Sequence, residues 1–397
     1  MPNTKRPEPG TTEGAVRPAL ATVTRVVERI SLAARRPWLL ARGALANRDA
    51  PNLERLRSIE DPERFLWAIL PHAARTFAAS LILLPAHRAR SAAVAYLYCR
   101  MLDSYEDLHP DHVAKREVLA AIAARPPGPP LTTAPPLPEA MARDRRDRAH
   151  LLLVERRPLI DRVFLTLPSS DQENVAELVS SMAAGMLWAA DAFEAQGGVL
   201  ETEEQLSRYC HHVIGEPVLF ALRLVLPGGV TEVHRRDAMA VSEMIQLANI
   251  TRDIERDAER GIAYHPALRP LLSGARGEGS LEAVRSVREE LLVRALGRAS
   301  AYRRLMQSAE FGKFSGARAA SISMLLFTDR YYRSCAARVG RHPWRGLNGT
   351  STLTLASALA AVSPRFSHAV VARVESHFLA AAAAISTHPQ ERARPTR

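Results

Sequence analysis

Carboxylates spaced four apart are the residues of this sequence whose types and positions could do chemistry. Asp103 and Asp107 stand at the end of Val94-Ala-Tyr-Leu-Tyr-Cys-Arg-Met-Leu-Asp-Ser-Tyr-Glu-Asp. At 3.6 residues per helical turn they share one face, a turn apart. Tyr96 and Arg100, seven and three residues before Asp103, extend that stripe, while Val94, Leu97 and Met101 are apolar neighbours. A second segment, Gln246-Leu-Ala-Asn-Ile-Thr-Arg-Asp-Ile-Glu-Arg-Asp, repeats the logic. Gln246, Asn249, Asp253 and Asp257 fall on one stripe at spacings 3, 4 and 4.

One such pair on a helix usually marks a solvated face. Two of them, each on a polar stripe flanked by apolar faces, are hard to explain as surface, because a buried carboxylate pair is costly unless a cation sits between its members. Four carboxylates on two facing helices make an all-oxygen set, which suits a hard cation such as Mg²⁺ with few protein ligands and a phosphate. The sequence has no Walker-type glycine loop and no G-x-G-x-x-G, so nucleotide phosphate is not the natural ligand. Arg75, Arg100 and Arg252 are candidates for contacting the same phosphates.

The elements that must position these residues read as helices throughout. Asp61-Pro62-Glu63 supplies an N-cap, a proline at N1 and an acidic N2 for a helix that ends before Pro85. A second runs from about Ala86 to Leu108. Further helices are expected at about 139–155, 158–166, 170–196, 201–226, 231–260, 281–308 and 313–340. No alternating strand-like run and no repeat period is visible, so the fold class is all-α, a helical bundle in one large domain spanning about residues 51–340. Residues 1–50 combine a polar, proline-bearing tail with a basic amphipathic stretch from Val23 to Leu45. That stretch either lies on an anionic membrane surface or, more commonly for such a pattern, packs on the domain with a solvated basic face. Residues 125–139 carry seven of the 27 prolines and read as a surface loop. Residues 341–397 form a C-terminal extension with no assigned role.

Composition agrees. Only 20 glycines and 6% aromatics, with Ala, Leu and Arg recurring, favour helix over sandwich or barrel. The formal charge of +11 calls for polyanions without choosing among nucleic acid, anionic lipid and diphosphate. Nucleic acid is excluded as the expectation because no recognised module or basic–aromatic interleaving occurs. Cys99, Cys210 and Cys335 lack C-x-x-C spacing, so neither a disulfide framework nor a zinc site is expected, in keeping with a reducing cytoplasm. The opening MPNTKRPEPGTTEG lacks the order of a secretory signal, and no run approaches a membrane span. Ala369–Ile385 is broken by Arg373, Glu375 and His377. The expectation is a cytoplasmic protein, at most peripheral to a membrane, with no specific protein partner.

Two further segments stand out. Tyr209, within Arg208-Tyr-Cys-His-His-Val-Ile-Gly, could point a phenol at a buried site or be a satisfied core tyrosine. Ser181-Met-Ala-Ala-Gly-Met would let a ligand chain or another helix approach closely. His211 and His212, being adjacent, face different ways and are poor metal partners.

Taken together, ARTFAASLILLP from Ala74, AYLYCRMLDSYEDL, YCHHVIG and QLANITRDIERDAERGIAYHP resemble the squalene/phytoene synthase family in motif, order and spacing over about residues 60–335. The resemblance implies an isoprenoid synthase bundle with a central cavity. It also implies head-to-head joining of two allylic prenyl diphosphates, most readily farnesyl diphosphate, through a cyclopropyl diphosphate. Asp103, Asp107, Asp253 and Asp257 would bind diphosphate through Mg²⁺, with Asp103 and Asp253 essential to turnover. Arg75, Thr76, Phe77, Tyr96, Arg100, Gln246, Asn249 and Arg252 would line the substrate site, and Tyr209 would assist proton transfer. Phe77, Leu81, Met182, Met186, Val213 and Phe220 are candidates for an apolar wall that keeps a carbocation from water. NADPH is required only if the product is squalene rather than phytoene or dehydrosqualene.

Two positions depart from the family pattern. Glu216-Pro217 follows Gly215 where a small or apolar pair is usual, which predicts a kink there. Ile262 follows Gly261 where arginine is usual, with Arg260 two residues earlier. Competing expectations are a cyclase acting on one prenyl diphosphate and a non-catalytic assembly factor with the same fold.

Overall fold

The structure, a computed structural model, describes residues 51–109, 111–124, 137–226, 228–274, 277–309, 311, 315–340 and 343–392. The tail and basic segment of 1–50, and most of the proline loop, lie outside these residues. Among the described residues there is no strand, only an isolated parallel bridge between Val199 and Ala263.

The first half builds α1 (Leu53–Arg57), α2 (Pro62–Ile82), α3 (Ala86–Leu108), α4 (His112–Ala124), α5 (Arg145–Glu155), α6 (Arg157–Phe164) and α7 (Ser169–Ala195). Asp61 caps α2 by accepting the Arg64 N–H at 2.7 Å. The helix expected over 139–155 is interrupted. Glu139–Met141 is a single 3₁₀ turn, and α5 restarts where the Asp144 side chain accepts the Asp147 N–H at 2.8 Å. An aspartate inside the expected span was a better cap than an interior residue.

The second half builds α8 (Glu203–Cys210), a π-helical turn (His211–Gly215), α9 (Glu216–Val225), α10 (Glu232–Glu259), α11 (Glu278–Gly297), α12 (Ala299–Ser308), α13 (Gly316–Arg338), α14 (Thr350–Val362) and α15 (Pro364–Arg392). The expected helix over 201–226 is present as one helical run over 203–225 that widens into a π turn at His211–Gly215. Pro217 sits in the first turn of α9, directly after the π turn, where a missing N–H is tolerated. The expected 281–308 helix divides at Gly297–Arg298.

Two apolar clusters hold the bundle. One joins α2, α3 and α5–α7 around Phe65, Leu66, Leu97, Leu102 and Leu153. The other surrounds α10 with α11–α13 and with the C-terminal pair α14 and α15. Residues 343–392 therefore belong to the second cluster: Phe378 is fully buried, edge-on to Tyr332 at 5.3 Å and to Trp344 at 5.6 Å. Arg318 closes α14 by donating to the carbonyls of Ala360 and Ala361 at 2.6 and 2.8 Å.

The sequence expectation that no run approaches a membrane span needs correction. Pro364–Ser386 is long and apolar enough to cross one by length and composition, because its alanines dilute Arg373 and Glu375. In the fold, Val371, Val374, Phe378 and Ile385 of this helix are buried against the second cluster.

Candidate active site

α3 and α10 face one another across a cavity of about 560 Å³ that lies between the two clusters. α10 starts at a Thr231/His234 capping box and buries Val241, Met244, Leu247, Ile250 and Ile254. Once that side is fixed, Gln246, Asn249, Asp253 and Asp257 have only the cavity to face, and all four line it. α3 does the same with Tyr96, Arg100, Asp103 and Asp107. Exposed Asp107 and Arg256 mark where the polar part of the cavity meets solvent.

The structure thus brings together Tyr96, Arg100, Asp103, Asp107, Tyr209, Gln246, Asn249, Arg252, Asp253 and Asp257. Arg75, Thr76 and Phe77 lie on α2, but their side chains are outside the described set. Of the expected apolar wall, Leu81, Met182, Val213 and Phe220 line the cavity. Met186 does not. It is fully buried in the first cluster, one turn beyond Met182 on α7, packed between helices.

Each aspartate has a defined cationic neighbour. Arg100 reaches Asp103 at 3.0 Å and donates to the Tyr96 hydroxyl at 3.0 Å. Arg252 grips Asp253 with two hydrogen bonds of 2.9 and 2.5 Å, and its guanidinium lies over the Tyr331 ring at 5.1 Å. Asn249 donates to the Gln246 amide oxygen at 3.2 Å.

Carboxylates are still crowded. Burial, with Asp107 nearby, raises Asp103 to about 6 against the pull of Arg100. Burial and Asp253 raise Asp257 to about 7. Glu106, which sequence reasoning did not single out, is raised to about 8 by burial and by Asp107 and Asp103. The raised carboxyl values reflect burial first and neighbouring carboxylates second, a setting in which a bound cation would be favoured.

No three His, Cys, Asp or Glu side chains converge closely enough among the described residues to hold a metal by themselves. Mg²⁺ does not require that, since it keeps several waters and is commonly held by one or two carboxylates plus substrate phosphate. Two carboxylate pairs with crowded negative charge on opposite walls fit such ions. Asp103, Asp107, Asp253 and Asp257 are the residues that would hold them.

Deeper in, the Tyr209 and Tyr264 hydroxyls lie 3.2 Å apart, both rings buried. Burial, then the partner tyrosine and Glu106, hold the Tyr209 hydroxyl well above its usual range, so it stays protonated and able to donate. Tyr264 was missed because a lone tyrosine after a glycine turn carries no spacing signal. Its place is fixed by a backbone clasp. Ala263 donates to the Gly198 carbonyl at 2.8 Å, and Leu200 donates to the Ala263 carbonyl at 2.9 Å. A Cβ at Gly198 would meet the Gly261 carbonyl oxygen at 2.2 Å, and its φ is +86°, so glycine is needed there on both counts.

A helical bundle in which two aspartate-bearing helices face a largely apolar cavity is the architecture of an isoprenoid synthase, and comparison with known proteins agrees. The profile of the family described as squalene/phytoene synthase matches residues 70–345. The chain belongs to the squalene/phytoene synthase family. Two solved structures of TcSQS, with the ligands BPH1237 and E5700, share its fold at TM-scores of 0.56 and 0.57 with 16% identity. They cover 82% of this chain and 99% and 100% of theirs. A bifunctional lycopene cyclase/phytoene synthase of Arthroderma gypseum is 35% identical over 82 residues, 19% of this chain and 14% of that protein. This chain therefore spans a small part of that relative's length. These likenesses establish the family and the fold of the chain.

Proposed function

We propose that the chain condenses two molecules of farnesyl diphosphate, in a Mg²⁺-dependent reaction through a cyclopropyl diphosphate, to a squalene- or phytoene-type hydrocarbon. The observation that carries this reading is the pairing of Asp103/Asp107 with Asp253/Asp257 across one cavity whose remaining walls are mostly apolar. Divalent metal, when bound, would supply Lewis-acid neutralisation of the departing diphosphate. The chain's own residues do the rest. Arg100 and Arg252 are placed to take diphosphate oxygens as charge develops. Leu81, Met182, Val213 and Phe220 keep water from the allylic cation, and the Tyr209 ring presents an aromatic face to it. Loss of a proton closes the cyclopropane, and the Tyr209–Tyr264 hydroxyl pair lining the cavity offers a protein route for handling it.

Purified full-length protein incubated with farnesyl or geranylgeranyl diphosphate and Mg²⁺, with and without NADPH, tests the reading by identification of the hydrocarbon. A C30 hydrocarbon from farnesyl diphosphate supports it. A cyclic C15 or C20 product would instead mark a cyclase, and absence of diphosphate release would mark a protein that kept the fold without the activity. We further propose a cytoplasmic protein in peripheral contact with membrane, where hydrocarbon products partition. Exposed Leu355, Leu359 and Val362 along one stripe of α14, with Leu379 on α15, support that contact.

A further inference from the structure

Arg260 occupies a position that none of the other cavity arginines shares. It is the C-cap of α10, and the turn behind it is a Schellman motif: the Ile262 N–H reaches the Asp257 carbonyl and the Gly261 N–H reaches the Ala258 carbonyl, both at 3.0 Å, with Gly261 at φ +79°. That turn fixes where the Arg260 side chain leaves the helix, and a cation there is favoured by the helix dipole. Its guanidinium stands 3.1 Å from Asp107 on α3 and 3.8 Å from Asp257 on α10. Arg100 and Arg252 each serve an aspartate of their own helix. Among the described ion pairs, Arg260 is the one that joins the two aspartate motifs. Its Nε is buried without a hydrogen-bond partner, so the fork has donor capacity its two carboxylates do not use.

We propose that Arg260 is an exchangeable counter-ion for the diphosphate site. In the free protein it neutralises Asp107 and Asp257. When divalent metal takes over those two carboxylates, the guanidinium is released to the diphosphate that arrives with it, and its unused donors find their acceptors there. The proposal rests on the reading that the two aspartate pairs bind metal and diphosphate. It adds that one side chain competes with the first ligand and assists the second.

Those two effects have opposite signs, which a merely structural arginine would not produce. Mn²⁺ binding by the full chain, alone, and inorganic pyrophosphate binding at saturating Mn²⁺ measure them separately. Arg260→Met, which keeps length and removes charge, should bind Mn²⁺ more tightly, by about threefold or more, because a cation has left the carboxylates. The same variant should bind pyrophosphate about tenfold more weakly, having lost a charge-assisted donor. Arg260→Lys, which retains a positive charge, should stay near wild type in Mn²⁺ affinity and lose part of the pyrophosphate affinity. Unchanged affinities in Arg260→Met, or affinities that fall together with the unfolding temperature, overturn the proposal. Wild-type protein that binds neither Mn²⁺ nor pyrophosphate overturns instead the reading of the site beneath it.

Discussion

α3 and α10 present nearly the same signature, yet the molecule holds them in different ways. α3 is embedded mainly among neighbours from its own half, α2 and α4–α7, and its cluster also takes in Phe220 and Leu224 of α9 and Ala317 and Ala320 of α13. α10 is the centre of the second cluster, and its far side is closed by α11, α12 and α13, which are in turn packed by α14 and α15. Tyr332 of α13 donates its hydroxyl to the Met244 carbonyl on α10 and rests edge-on against Phe378 of α15. Their electrostatics differ as well. Burial raises the first aspartate of α3, Asp103, and the second aspartate of α10, Asp257. Arg252 is adjacent in sequence to Asp253 and holds both its oxygens, whereas Arg100 reaches Asp103 from three residues back with one. Matching spacing therefore yields matching placement of carboxylates but not matching surroundings.

The sharpest way to break this comparison is to empty a buried site in the cluster around α10, which holds Phe378 where the cluster around α3 does not. Phe378→Ala should lower stability by about 3–5 kcal/mol, the usual cost of emptying a buried aromatic site. Urea unfolding of the full chain measures it. A variant as stable as wild type would show that the C-terminal helices do not complete the second cluster. Next in size are the aspartates themselves. Asp103→Ala and Asp253→Ala should each reduce turnover of farnesyl diphosphate by about 10²–10³-fold, as loss of a transition-state charge contact does. Their unfolding midpoints should stay near wild type. Full turnover in either would remove that aspartate from the metal site and make the two helices unequal in function as well as in support.

Much of this was legible in the sequence for a definite reason. Helical period turns a four-residue spacing into a shared face, so Asp103/Asp107 and Asp253/Asp257 can each be placed on one face from the sequence alone. Burial of their carrier helices followed from the apolar residues flanking each stripe. What periodicity cannot give is contact between residues far apart in the chain. Arg260 reads as one more basic residue at a helix end until its pairing with Asp107, 153 residues away, is seen. Tyr264 depends on a clasp with Gly198 that no local pattern announces. Met186 was misplaced because a helix face shared by a cavity and a neighbouring helix looks the same in sequence. The breaks at Asp144 and Gly297–Arg298 were missed because caps inside a periodic run compete with continuation by small energies. Residues 343–392 could not be assigned to a cluster because their partners, Tyr332 and Asp329 on α13, carry no mark of it.

A smaller effect probes the loop that carries Tyr264. Gly198→Ala places a Cβ against the Gly261 carbonyl at a positive φ, and should cost about 1–3 kcal/mol through strain at that position. The displaced Tyr264 should also lower kcat while the KM for farnesyl diphosphate changes little, a split that general destabilisation would not give.

Smallest is a pH effect at the π turn, which joins α8 to α9 beside the cavity. The His212 ring packs where a Cβ on Gly185 would meet it at 2.2 Å, and burial, with His211 and Arg208 nearby, holds its pKa below the usual 6.5. Glu216 is held below its usual 4.5 by the hydrogen bond from His211, whose Nε2 lies 3.2 Å from it. Both groups bind fewer protons folded than unfolded, so each contribution to stability is fully present above the unfolded value and is lost as pH falls. The His212 contribution fades first, below pH 6.5, and the Glu216 contribution only below 4.5. The crowded carboxyls of α3 and α10, being raised, tilt the wild-type profile in the opposite direction. The informative quantity is therefore the difference between wild type and His212→Gln, which leaves those carboxyls in place. Followed by unfolding midpoint from about pH 8 to about pH 5, that difference should change as pH drops through the histidine range. A constant difference would mean that the ring is not held neutral by its packing on α7, and that the π turn is indifferent to protonation.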